Sequence, residues 1–234
     1  MEANVPASVL SLRQAAFFER RLAARPVAVD LELGRGQLAL VEVGDEADAM
    51  ALVDLCVGLT PATLGEVLFL GRDWRAETYR ENLARRGRIG SVVQSQVWPA
   101  HLSIAQSMLM PRLYHTSRTE DEVIAEAIVL ARRFGLPGLP VGRRETIPAG
   151  ELVRAACVRA FLGTPDLVVI HDAPLDQIAE LAVPMAQALT AVQDRGGAAI
   201  WVTAYAGVPA ARFVAADHTL RLGDHGLVAA RRRG

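Results

Sequence analysis

Short apolar runs bounded by glycine or proline alternate along this chain with longer stretches whose apolar residues recur at helical spacing. That alternation constrains the fold more than any other feature, because strands separated by helices are joined side by side in one sheet through crossovers. The strand candidates are Val9 to Leu12, Val27 to Leu33, Leu38 to Val43, Glu66 to Leu70, Ile89 to Val93, Leu167 to His171, Ala198 to Thr203 and His218 to Leu222. The helix candidates are Ala47 to Val57, Trp74 to Arg85, Ile104 to Met110, Glu120 to Phe134, Gly150 to Leu162 and Ile178 to Asp194. The expected class is α/β, with a mixed or mainly parallel sheet as core. From about 103 to 163 helices follow one another without an intervening strand, which predicts a helical lobe inserted into that core. The chain, 1–234, reads as one domain, with a core lobe of about 1–94 and 164–234 and a helical lobe of about 95–163.

Composition narrows the function classes. Hydrophobic residues make up 51% and the formal net charge is −1, so neither a nucleic-acid-binding surface nor a disordered tail is indicated. Cys56 and Cys157 sit in apolar helical runs and read as buried free thiols rather than a disulfide or metal pair. The histidines lack ligand spacing, so no metal is expected. No stretch approaches the roughly 20 apolar residues of a membrane span, and MEANVPASVLSLRQ has no signal-peptide pattern. The expectation is a cytoplasmic protein that reaches a membrane only by docking.

The first chemical locus is Gly44 to Ala51, GDEADAMA, which follows the apolar strand LALVEV and opens a helix. In a P-loop, G-x-x-x-x-G-K-[ST], glycines let backbone N–H groups wrap phosphate, lysine pairs with it and the hydroxyl holds magnesium. Here Gly44 stands at the first glycine, while Ala49, Met50 and Ala51 replace the second glycine, the lysine and the hydroxyl. The whole chain has no lysine, all 25 of its Lys and Arg positions being arginine. High-GC coding explains that on the surface but not at a position where chemistry needs the amine. Asp45, Glu46 and Asp48 put negative charge where phosphate would lie, and carboxylates there cap a helix as an anion would. The loop reads as self-capped.

The later motifs give this loop a context. GLTPATLGEVLFLGRDW at 58–74, IGSVVQSQVWPAHLSIAQSMLMP at 89–111, IPAGELVRAACVRAFLGTPDLVVIHDAP at 147–174 and AAIWVTA at 198–204 follow in that order. Their order and spacing resemble the ATP-binding subunits of ABC transporters, from about Val9 to about Arg221. The most specific part is ACVRAFLGTPDLVVIHDAP, against ARALLxxPxLLLLDEP in that family. The resemblance implies a P-loop-NTPase-like cassette with an inserted helical subdomain.

The resemblance also assigns positions. Gln94 matches the glutamine that senses magnesium and the γ-phosphate, and Val97, Trp98 and Pro99 match the patch that grips a permease helix. Anchored on Pro174, Asp172 matches the magnesium carboxylate and Ala173 replaces the glutamate that polarises water. Anchored on Pro165 without a gap, His171 replaces the magnesium carboxylate and Asp172 stands at the glutamate; the two registers stay open. Read from the residues alone, His171 is a core or edge histidine rather than a metal or base site. The switch histidine falls at Ala204. The signature LSGGQ becomes Ile147, Pro148, Ala149, Gly150 and Glu151, without its serine and first glycine. Phe17 and Phe18 lie where the family stacks an aromatic on adenine.

Framework positions are thus kept and chemical ones lost. With no catalytic residue expected, the resemblance implies ATP and magnesium bound weakly or not at all, and no firm cofactor. Its implied partners are a membrane permease and a second cassette, homo- or heterodimeric, on the inner face of the membrane, and no nucleic acid. The leading expectation is a degenerate structural or regulatory cassette. Two others compete: a working ATPase with displaced or partner-supplied chemistry, for which the N–H groups opening the helix at Gly150 remain, and a scaffold outside transport.

Overall fold

The computed structural model describes residues 7–17, 27–93, 98–171, 179–203, 214–223 and 225–230. In chain order these form β1 (Ser8–Phe17), β2 (Val27–Gly34), β3 (Leu38–Glu42), α1 (Glu46–Cys56), β4 (Leu64–Phe69), β5 (Arg72–Asp73), α2 (Tyr79–Arg86) and β6 (Ile89–Val93). Then come α3 (Ile104–His115), α4 (Glu120–Arg133), α5 (Ala149–Phe161), β7 (Leu167–His171), α6 (Ala182–Asp194), β8 (Ala198–Thr203), β9 (His218–Gly223) and β10 (Gly226–Ala229). Short 3-10 turns, Arg144–Thr146 and Ala179–Leu181, precede α5 and α6.

The strands make two sheets. A six-stranded sheet runs β10-β9-β3-β8-β7-β6, parallel except for the β9–β10 hairpin at its edge. A four-stranded sheet, β2-β1-β4-β5, is wholly antiparallel. The mixed α/β class expected from the sequence is the class observed. The expectation of a mainly parallel core did not separate out the antiparallel sheet, whose pairing depends on contacts distant in sequence.

Helix α1 lies between the sheets. Its Ala49, Leu52, Val53, Leu55 and Cys56 pack with Val9, Leu10, Leu12, Val67 and Phe69 of the antiparallel sheet and with Val41, Leu167, Val169, Ile200 and Val202 of the parallel one. The opposite face of the parallel sheet, through Leu40, Val168, Ile170 and Trp201, packs on a cluster formed by α3, α4, α5 and α6. Every residue of β7 and β8 is therefore buried, and both strands read as continuous apolar runs because neither face meets water.

Capping boxes fix several helix starts. Thr78 with Glu81, Ser103 with Gln106 and Thr119 with Glu122 each close one, the side-chain oxygen accepting from the N3 amide. The first corrects the expected helix Trp74 to Arg85, since α2 begins only at Tyr79. Trp74 instead stacks on Phe69 at 5.5 Å between ring centroids, under the turn after β5. Helix α3 runs past the expected Met110 to His115, carrying Pro111 within it. The short strands β5 and β10 carry too little periodicity to be read in advance. Cys56 and Cys157 are free and buried, and burial pushes both thiols up to about 12, so neither is a thiolate near neutral pH.

Candidate functional site

The site expected from the sequence sits where β3 hands over to α1, at the C-terminal ends of the parallel strands. The Val43 amide donates to the Thr203 carbonyl at 2.8 Å, tying the loop to the end of β8. Asp45 then caps α1: its backbone is extended, with φ −135° and ψ 140°, and its Oδ1 accepts from the Ala47 amide at 2.7 Å. Glu46 and Asp48 occupy the first turn, where the helix dipole favours negative charge. Replacing Asp45 by alanine is expected to lower stability by about 1 kcal/mol, read as a shifted urea midpoint at unchanged slope; an unshifted midpoint would show the cap to be idle.

The remaining loop positions serve packing. Ala49 is fully buried in the core around α1, and Ala51 packs partly against the same cluster. Met50 is half-buried. A side chain added at Gly44 would meet nothing within 4 Å, so no close approach at this position demands glycine.

His171 ends β7 with its side chain wholly buried. Strand alternation puts it on the face of Leu167 and Val169, which pack against α1, and its Nε2 lies 3.5 Å from Glu46 Oε2. Residues far apart in the chain thus meet at the mouth of the loop, a contact that sequence spacing does not announce. Gln94, Val97, Asp172, Ala173 and Ala204 lie outside the described residues, as does Phe18.

Trp98 and Pro99 follow β6. Trp98 is only 6% exposed and belongs to the core cluster of the helices, so its ring turns inward and supports the surface from beneath. The Arg159 guanidinium of α5 stands over that ring at 4.5 Å, and burial pulls its pKa down to about 10. Sequence reading passed over Arg159; a cation within an otherwise apolar helix face was its only signal. Helix α5 begins at Ala149 with Pro148 as N-cap and no side-chain capping bond, so the signature-like residues Ala149, Gly150 and Glu151 form its first turn. They are partly or fully exposed. No described helix is long and apolar enough to cross a membrane.

No family model matches the chain. It is 29% identical over 178 residues to the sn-glycerol-3-phosphate import ATP-binding protein UgpC of Chromohalobacter salexigens, covering 75% of this chain and 46% of that protein. It is 31% identical over 147 residues to the lipoprotein-releasing system ATP-binding protein LolD 1 of Rhodopirellula baltica, covering 62% of this chain and 63% of that one. To the intermembrane phospholipid transport system ATP-binding protein MlaF of Haemophilus influenzae it is 24% identical, over 62% of this chain and 54% of that one. The chain thus spans less than two thirds of each of these relatives. Among solved structures, the dimeric bacterial ABC transporter cassette MJ0796 superposes with a TM-score of 0.82 at 16% identity, covering 96% of this chain and 99% of that one. The same cassette in a post-hydrolysis state bound to ADP and Pi gives 0.80 at 17% identity. The fold is that of the ABC transporter cassette.

Proposed function

We propose that this chain, a cassette-fold homologue of the ATP-binding subunits of ABC transporters, works as a structural or regulatory cassette that does not hydrolyse ATP itself. The loop before α1 carries the reading. Its first-turn amide donor at Ala47 is taken by Asp45, its side chains are acidic, and Met50 and Ala51 stand where the family has lysine and a hydroxyl. These residues do not fit the phosphates of a nucleotide: like charge faces like charge, and nothing in the loop supplies a cation or a magnesium ligand of the usual kind. His171, on the α1 side of β7, supports the ungapped register in which it replaces the magnesium carboxylate and Asp172 stands at the glutamate.

The partners follow from the same resemblance: a membrane permease reached through the surface above Trp98 and Pro99, and a second cassette facing the first turn of α5. The relatives serve unlike cargoes, from glycerol phosphate to lipoprotein, so the permease rather than this chain sets the substrate. One observation favours a second reading. The start of α5 has no side-chain cap, so the Ala149 and Gly150 amides can complete a nucleotide site on an intact partner cassette, while the Glu151 amide donates to the Pro148 carbonyl. Hydrolysis would then belong to the partner's loop.

Purification from detergent-solubilised membranes of cells expressing the chain tests the proposal. A polytopic permease subunit, with or without an intact cassette, is expected at near-equal amount. Recovery of the chain with neither would overturn it in favour of a scaffold outside transport.

A further inference from the structure

The carboxylates of the loop have different tasks. Asp45 caps α1, a task that any strand-to-helix turn requires. Glu46 makes a different contact. Its side chain is 55% exposed, yet one oxygen is turned back over the sheet to within 3.5 Å of the buried His171 imidazole. An exposed glutamate has no need of that contact for solvation. Its position, between the start of α1 and the C-terminal end of β7, is where a helix terminus stabilises a bound anion.

We propose that Glu46 is a built-in occupant of the phosphate position, set against His171 at the end of β7, so that the loop is closed from within and not merely short of its lysine. The inference rests on the degenerate-site reading and deepens it by naming which residue keeps the nucleotide out. A carboxylate tethered beside the site acts at an effective concentration that a free ligand in solution does not reach, and an entering phosphate must displace it against like charge. Restoring the missing lysine and hydroxyl therefore recovers only weak binding while the Glu46 carboxylate remains, and its removal is what tightens the site further.

Calorimetric titration with magnesium-ATP compares Met50→Lys/Ala51→Ser with the same pair carrying Glu46→Ala or Glu46→Gln. Affinity is expected to rise at least ~10-fold on removing the Glu46 charge. Asp45→Asn in the same background keeps a good cap while removing a neighbouring charge, and is expected to gain less than about 3-fold. His171→Gln, which changes the group beside the carboxylate without deleting it, is expected to give part of the Glu46 gain. Near-ultraviolet circular dichroism and the melting temperature confirm that each variant is folded, and the isosteric Glu46→Gln serves if Glu46→Ala is not. Equal affinity with and without Glu46, or an equal gain from Asp45→Asn, overturns the inference while leaving the degenerate-site reading in place. Micromolar binding by the unmodified chain overturns both.

Discussion

Magnesium-ATP titrated into the purified, unmodified chain is expected to give no saturable binding tighter than about 1 mM, a standard free energy of about −4 kcal/mol. The physical reason is local. A P-loop gains its affinity from a lysine on the phosphates, a hydroxyl on magnesium and undirected amide donors. Here Met50 and Ala51 supply neither group, Asp45 already uses the Ala47 amide, and Glu46 and Asp48 add negative charge in the first turn. Putting Lys at Met50 and Ser at Ala51 together adds a charge-assisted contact worth about 1.5–3 kcal/mol, from which the acidic first turn subtracts. Saturable binding near roughly 0.1 mM is expected for that double variant, about 10-fold tighter than the limit set for the parent. Hydrolysis is not expected to follow, because in the proposed reading Ala204 stands at the histidine that meets the γ-phosphate, and either Ala173 stands at the water-polarising glutamate or His171 at the magnesium carboxylate. Phosphate release by the unmodified chain at ordinary cassette rates would sink the reading; binding that appears only in the double variant would show an intact framework that has lost its chemistry.

Much of this was legible in the sequence because burial writes itself into strands directly. Leu167 to His171 and Ala198 to Thr203 are buried on both faces, so their ends could be read to the residue. The antiparallel sheet was less legible. Its strands were visible, but their pairing, β1 between β2 and β4, depends on partners that local periodicity does not name. Trp74 shows the opposite error: it was expected to open a helix, but stacking on Phe69 and the capping box at Thr78 hold it in a turn. At the candidate site the substitutions in Gly44 to Ala51 and the capping carboxylate were readable from residue type alone. The meeting of Glu46 with His171, and of Arg159 with Trp98, was not, because each joins elements from distant parts of the chain and depends on how α1 and α5 sit on the sheet.

The seat of α5 on that sheet is the second large effect, and Gly90→Ala exposes it. A Cβ at position 90 would lie 1.9 Å from the Ala160 carbonyl oxygen and 2.8 Å from its carbon. Both atoms are helix backbone, so no side-chain rotation relieves the clash; β6 or the end of α5 must shift. Overpacking of a core commonly costs about 1–3 kcal/mol and sometimes more, and a backbone obstacle puts this case at the upper end, about 3 kcal/mol or above by urea unfolding. Gly223→Ala is the control, since a Cβ there meets nothing within 4 Å, and it is expected to stay within about 0.5 kcal/mol of the parent. The same shift should reach the proposed docking side, because Arg159, next to Ala160, rests on Trp98. Gly90→Ala is therefore expected to change the near-ultraviolet signal of the tryptophans while the far-ultraviolet spectrum holds. A cost below about 1 kcal/mol with an unchanged tryptophan signal would mean that α5 slides on β6 at little expense. The start of α5 and the surface above Trp98 would then be free to move independently, and a permease bound at one would have no rigid element through which to act on the other.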